Sequence, residues 1–593
     1  MEARTTDEQV PDDLVTEDVT ADPVVTEEAA PATTATPGRP SGLRRVRAAI
    51  GRHRRRFWFG LSPVGLAFAL VFFCFSMTPS LLPREWYLQG VASGICVGLG
   101  YAFGATLGWL LRSFGFRPWQ EPRRRLAYRV LLLAAVVLIP LFGVLGARWQ
   151  SQVRELVHVD TSDRYYYALV LLIAFVLARL LIGVARLLRR TVRRLGRFGA
   201  RWIPAPLAKL IATIAVTAVL ITLVNNTLGP ALLKAANQSF SISDQGTPDD
   251  AVQPTAIQRS GSAASLVRWS DLGREGRGFV AGGPTTGEIA AFTGNAAQEP
   301  IRVYAGLESA DSLQAEADLV VRELERTGAF DRSVLVVATT TGRGWVNQAA
   351  AAALEYLWGG DTAIAAMQYS HFPSPVAFVV DTATPPEAGR VLFDAVRARW
   401  LTEPVDSRPR LLVLGESLGA YGGQGAFGSL DDLAGRADGA VWVGTPRFTP
   451  LWSQITGERD AGSPEQVPEL NHCAVVCFAG TPADLPAGAH PKVVYLQHAT
   501  DPVVWWSGDL LFREPDWLAE GNRAGFSSHM TWFPLATFWQ VTMDMVFSSD
   551  MPDGYGHHYG LELADAWAAV VPPTGWTAAD TTRLRAELAS IVP

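Results

Sequence analysis

Gly415-Glu416-Ser417-Leu418-Gly419 has the residue types and spacing for nucleophilic chemistry. The apolar run before it, Leu411 to Leu414, reads as a buried strand, and the small residues after it suit a closely packed helix. In such a strand-turn-helix setting, G-x-S-x-G lifts the serine onto a sharp elbow, and the two glycines let strand and helix approach. A serine hydroxyl is a weak nucleophile until a base takes its proton and an acid orients that base. In this architecture the acid and then the histidine follow the serine along the chain. Asp501 fits the acid, because Val493 to Leu496 reads as a strand running into a short turn that ends in Asp501-Pro502. Asp484 and Asp509 are weaker alternatives. Of the histidines beyond Asp501, His529 precedes a helix-like stretch. His557 and His558 lie in the glycine-flanked loop Gly554-Tyr-Gly-His-His-Tyr-Gly560. His557 is the first candidate for the base and His558 the reserve. For the developing oxyanion, the N–H of Leu418 is one donor. Thr341 and Gly342, in the polar loop after the strand-like Val334 to Ala338, are candidates for the second. The adjacent histidines have no carboxylate or cysteine pattern around them, so neither a metal nor another cofactor is expected.

These residues need positioning elements. Val334 to Ala338, 411 to 414, 439 to 443 and Lys492 to Leu496 read as strands, as do Ile301 to Tyr304 and Val376 to Val380. Ala349 to Leu357 and Pro385 to Trp400 read as helices between them. Such alternation predicts an α/β domain with a mostly parallel, doubly wound sheet over 266–593.

The first half of the chain has a different character. Residues 1–38 carry ten acidic residues and one Arg, and read as a disordered acidic tail. Residues 39–57 reverse the sign, with eight arginines. A nucleic-acid arm is the less favoured reading, because an apolar run begins at once; a basic juxtamembrane segment fits better. Five apolar runs follow, at about 58–79, 87–111, 129–147, 166–185 and 207–228, each long enough to span a bilayer. They predict a five-span α-helical domain over 58–235, joined by a polar linker, 236–265. The arginine-rich stretches lie before the first run, between the second and third, and between the fourth and fifth. Positive-inside asymmetry then predicts a multi-pass protein of the cell membrane with a cytoplasmic N-terminus and an extracytoplasmic α/β domain. Gly90, Gly94 and Gly98, with Gly100, Gly104 and Gly108, form small-residue stripes suited to close packing within the bundle. Four cysteines rule out a disulfide-rich scaffold. If Cys473 and Cys477 share a strand they lie roughly 13 Å apart, too far for a bridge; a turn there permits one.

The five spans, the segment Gly261-Ser-Ala-Ala-Ser-Leu-Val-Arg-Trp-Ser-Asp-Leu-Gly-Arg-Glu-Gly-Arg-Gly-Phe-Val280, Gly415-Glu-Ser-Leu-Gly419 and Gly556-His-His-Tyr-Gly560 together resemble a family of bacterial membrane proteins. Its members join an N-terminal multi-span region to a C-terminal α/β-hydrolase domain. The resemblance implies a Ser-Asp-His hydrolase site, here Ser417, Asp501 and His557, and no particular substrate. The expected function is a membrane-anchored serine hydrolase acting through an acyl-enzyme on a lipid or cell-envelope ester, with the bilayer as partner. An acyltransferase with the same three residues, or a non-catalytic envelope scaffold, are the alternatives.

Overall fold

Seven short, nearly continuous apolar stretches build the sheet in the computed structural model, which describes residues 61–116, 120–160, 166–374, 376–377, 381–519 and 525–591. The strands are β1 Ile301–Ala305, β2 Val334–Thr339, β3 Thr362–Met367, β4 Arg410–Glu416, β5 Gly439–Val443, β6 Val476–Ala479 and β7 Val493–Leu496. They pair in parallel in the order β1-β3-β2-β4-β5-β7-β6. A strand turns successive side chains to opposite faces. Leu411 and Val413 of β4 accordingly join one buried cluster, and Leu412 and Leu414 the other. The first face is covered by α7 Leu313–Thr327, α9 Thr384–Trp400 and α10 Leu418–Gln424. The second is covered by α8 Gln348–Leu357, whose alanines 349 to 353 are all buried, and by α12 Leu563–Val570 with Trp567. An α/β sheet covered on both faces is what the alternation predicts.

Two strand assignments change. The expected strand Val376 to Val380 is helical at Val376 and Ala377, and residues 378–380 lie outside the described residues. The strand that occupies the sheet is β3, Thr-Ala-Ile-Ala-Ala-Met, whose alanines have helix propensity. Both edges of β3 are paired, and all six of its residues are buried. Tertiary pairing overrides the local preference.

Among the described residues, the N-terminal half holds four helices long and apolar enough to cross a membrane, not five. They are α2 Trp86–Ser113, α3 Glu121–Leu156, α4 Tyr167–Gly199 and the 40-residue Ala205–Asp244. The last comprises α5 Ala205–Leu223, a π-helical turn Val224–Leu228 and α6 Gly229–Asp244. Part of the first expected run lies outside the described residues; the rest forms α1, Pro63–Ser76. The Ser62 hydroxyl caps it and Pro63 starts it. Its 14 residues reach about 21 Å, short of a bilayer core of about 30 Å. The glycine stripes on α2 face two partners: Gly90, Gly94 and Gly98 lie against Ile173, Leu177 and Leu181 of α4, and Gly100 and Gly104 against α1. At Gly94 a Cβ would come within 2.9 Å of Leu177, so only a glycine permits this approach.

The expected linker 236–265 is not free of structure. Its first residues complete α6, and Ser260 joins the sheet edge, its N–H donating to the Arg302 carbonyl at 3.0 Å. The hydroxyls of Ser260 and Ser265 both donate to buried Glu323 of α7 at 3.1 Å. The expected acidic tail and basic segment, 1–38 and 39–57, lie outside the described residues. The described residues from Ser62 onward pack as one unit. Leu81, Leu82 and Val157, in the connections flanking α2 and α3, are fully buried in the same cluster as one sheet face.

Candidate active site

β4 ends at Glu416, and the chain turns directly into α10. Ser417 sits at the turn with φ 55° and ψ −122°, a region that L-residues occupy only under constraint. The constraint is visible on both sides. The Ser417 N–H donates to the Val443 carbonyl at the end of β5, at 2.8 Å. A Cβ at Gly415 would lie 2.6 Å from the Gly419 carbonyl, and one at Gly419 would strike the Thr339 carbonyl. Strand and helix therefore meet backbone to backbone, as the glycine spacing predicts. Such strain is worth about 1–3 kcal/mol. Ser417→Gly is therefore expected to stabilise the fold by about 1 kcal/mol while removing the hydroxyl, read as a higher unfolding midpoint.

Asp501 follows β7 and is fully buried. Its carboxylate accepts from Tyr559 Oη at 2.7 Å and from the Val503 N–H at 2.8 Å, and His557 Nδ1 lies 2.7 Å from its Oδ2. An acceptor in that position fixes Nδ1 as the protonated ring nitrogen and leaves the Nε2 lone pair free in the neutral imidazole. The His557 ring lies over Gly444, where a Cβ would come within 2.5 Å of Cε1. Gly444 directly follows the residue that accepts the Ser417 N–H, so imidazole and serine stand over neighbouring strand ends. Both line one cavity of about 590 Å³. The Ser417 hydroxyl makes no hydrogen bond among the described residues, a loose arrangement common before substrate binds. Burial, the largest influence on His557, favours its neutral form. The charge and hydrogen bond of Asp501, with Glu416 adding to them, outweigh it and raise the pKa above the ordinary 6.5.

The structure thus brings Ser417, Asp501 and His557 to one rim of the sheet. His558 also lines the cavity, but its Nδ1 faces the Met551 carbonyl at 2.6 Å instead of a carboxylate. Asp484 caps its own turn, accepting from Gly480 and Thr481 N–H groups. Leu418 opens α10 beside the serine and lines the cavity. The other two expected oxyanion donors are engaged elsewhere. The Thr341 N–H donates to the Trp345 carbonyl at 3.0 Å, closing its own loop, and the Gly342 N–H reaches Ser374 Oγ at 3.4 Å. The sequence marks a polar, glycine-containing loop but not which amides that loop uses to close itself.

Other groups at the site carried no readable signal. Asn347 caps α8 with its Oδ1 and donates from Nδ2 to Glu416 at 2.7 Å and to the Tyr559 carbonyl at 3.0 Å. Glu416, inside the G-x-S-x-G stretch, is pushed up to about 7 by burial. Behind Asp501, His498 stacks on Tyr559 at 4.0 Å, and its Nε2 meets Glu562 at 2.9 Å. The His498 N–H donates to Tyr559 Oη at 3.0 Å, so Tyr559 connects this second pair to Asp501.

The parallel sheet, the elbow after its central strand and the buried acid after β7 define a protein of the hydrolase fold. Residues 301–584 match an alpha/beta-hydrolase family, and residues 77–284 match the N-terminal region of an alpha/beta-hydrolase family. The two matches together support placing the chain in an alpha/beta-hydrolase family. No curated protein and no solved structure matches it.

Proposed function

We propose that this protein is a membrane-anchored serine hydrolase that cleaves an acyl ester on the extracytoplasmic side. One observation carries the reading: a serine held at positive φ shares a cavity with an imidazole whose far nitrogen is fixed by a buried carboxylate at 2.7 Å. In the reaction, Ser417 Oγ attacks the ester carbonyl carbon while its proton passes to His557 Nε2. The tetrahedral oxyanion takes a hydrogen bond from the Leu418 N–H. The C–O bond to the alcohol breaks, and that oxygen leaves with the proton from His557. Water then attacks the acyl-enzyme, gives a proton to His557, and the acid departs as Ser417 recovers its proton. Asp501 holds the imidazole throughout and stabilises its charged form. If an alcohol takes the place of that water, the same steps give acyl transfer.

A fluorophosphonate probe tests this directly. Wild-type protein is expected to label, Ser417→Ala to remain unlabelled, and a non-catalytic scaffold to leave the folded wild type unlabelled.

Two features support the extracytoplasmic placement. The arginine-rich connections, between α2 and α3 and between α4 and α5, fall on one side when each of these helices crosses the bilayer. The connections at the opposite ends carry Leu81, Leu82 and Val157 into the α/β core. This inference does not depend on α1, because it counts crossings from the basic loops outward. The second feature is a disulfide between Cys473 and Cys477. The extended spacing that argued against a bridge is not adopted: Asn471, His472 and Cys473 all take positive φ and curl the chain, leaving the two Cα atoms 4.7 Å apart. Such bridges persist outside the reducing cytosol. Protein acid-trapped from cells, denatured and alkylated is therefore expected to modify only Cys74 and Cys96 before reduction and all four cysteines after it. Four modified cysteines before reduction would place the domain in the cytoplasm.

A further inference from the structure

The cavity around Ser417 has two walls, each tied to a membrane-length or membrane-flanking helix. One wall is the turn segment Met545–Asp550, which follows α11 Ala536–Asp544. Met545, Ser548 and Ser549 line the cavity, and Ser549 is exposed at its rim. The two residues between them look elsewhere. Val546 is 56% exposed, and the Phe547 ring meets Tyr87 edge-on at 6.1 Å. Tyr87 stands in the first turn of α2 beside Trp86, whose ring contacts Tyr166 at the start of α4. Trp and Tyr gathered at the ends of apolar helices mark the headgroup level of a bilayer. One six-residue segment therefore reaches the catalytic cavity with some side chains and this aromatic belt with others.

The segment is anchored there. Ala536 and Phe533 pack with Phe72, Phe75 and Cys96 of α1 and α2, Phe75 stacks on Phe533 at 4.0 Å, and Asp544 lies 3.4 Å from Arg84. The second wall is held in the same way. Pro373 and Ser374 line the cavity; Phe372 beside them packs on Phe240 of α6 at 6.1 Å, and His371 Nδ1 lies 3.2 Å from Asp244 at the end of α6. α6 continues from the last membrane-length helix. The cavity lining also includes Trp345, Phe448, Val503, Trp506 and Ile591, which with Met545 make a surface suited to an acyl chain.

We propose that the substrate is an acyl ester resident in the bilayer, and that it enters the cavity at the membrane surface past Val546, between these two walls. This rests on the serine-hydrolase reading above. Positioning both walls by membrane helices sets the reacting serine at a fixed height over the lipid surface, where a lipid presents its ester carbonyl. A water-borne ester gains nothing from that arrangement.

The test uses the full-length protein in lipid nanodiscs with two reporter substrates: water-soluble p-nitrophenyl butyrate, and 4-methylumbelliferyl oleate dissolved in the bilayer. Val546→Asp puts a charge at the lipid surface without altering a cavity-lining residue. It is expected to lower turnover of the bilayer ester by roughly tenfold or more, while butyrate turnover and fluorophosphonate labelling stay within about twofold of wild type. Val546→Leu is expected to behave as wild type. Tyr87→Ser, which removes the ring under Phe547, is expected to act in the same direction and is read in place of Val546→Asp if that variant fails to label. Equal loss on both substrates, or no loss on either, overturns bilayer entry while leaving the hydrolase standing. Absence of Ser417-dependent turnover of the soluble ester in the wild type overturns the hydrolase reading, and bilayer entry falls with it.

Discussion

Ser417→Ala is expected to lower acyl-ester turnover by about ten-thousand- to million-fold while the protein stays folded. The alanine keeps the Cβ, the backbone strain and the close approach of Gly415 and Gly419, so only the nucleophile is lost. His557→Ala is expected to fall as far, because His557 is the cavity histidine whose Nδ1 is held by the buried carboxylate of Asp501, whereas Nδ1 of His558 faces the Met551 carbonyl. Combining the two should add almost nothing, since either change removes the same step. Asp501→Asn should cost about ten-thousand-fold by favouring the wrong imidazole tautomer. The pH profile gives a second check. His557 must be neutral to accept the proton, and its folded pKa is raised above 6.5. Activity is therefore lost as pH falls through a midpoint above 6.5. Glu416 contributes to that rise, so Glu416→Gln is expected to move the acid limb to lower pH. A scaffold that merely keeps the fold predicts none of this: its wild type and Ser417→Ala would be equally inert.

Much of this site is legible because its chemistry constrains backbone as well as side chain. Gly415 and Gly419 are readable since no other residue tolerates the approach, and an acid after a late strand with a histidine beyond it follows from the chain order of this architecture. His557 and His558 could be ranked but not separated from sequence alone. What separates them is one hydrogen bond at the end of a loop, to Asp501 for the first and to the Met551 carbonyl for the second. Asn347, Tyr559 and His498 were invisible for a related reason. They act through contacts spanning 58 residues or more, and an Asn before a helix or an aromatic next to a histidine is common anywhere. β3 was hidden because its alanines carry no strand signal outside the sheet. The first expected span shows the converse limit: hydropathy counts apolar residues, whereas Ser62 and Pro63 decide where α1 begins.

The second large effect concerns the joint between the helical and catalytic halves. Asp544→Ala is expected to destabilise the protein by about 3–5 kcal/mol, seen as an unfolding midpoint lower by several degrees. Arg84 and Asp544 are both essentially inaccessible, with Arg84 Nε 3.4 Å from Asp544 Oδ1. Arg84 also donates to the Ser76 and Thr78 carbonyls at 3.3 and 2.9 Å, and Asp544 accepts from the Leu81 N–H at 3.1 Å. Removing the carboxylate takes from this buried guanidinium the counter-charge that it holds at 3.4 Å. The reverse change has an escape route. Burial already pushes Asp544 up to about 6 against the pull of Arg84. In Arg84→Met, Asp544 can take a proton and lose its charge. The sign follows from proton binding. A carboxyl whose folded pKa lies above its unfolded value binds protons more tightly when folded, so stability falls as pH rises from the unfolded pKa of 3.8 to the folded value. Without Arg84 the folded value climbs further, and the window extends above about 6. Arg84→Met is thus expected to cost little near pH 5 and progressively more toward pH 8, whereas Asp544→Ala, which removes the titrating group, should cost less at pH 8 than at pH 5. Equal, pH-independent losses for the two variants would show that packing, not charge, holds the joint.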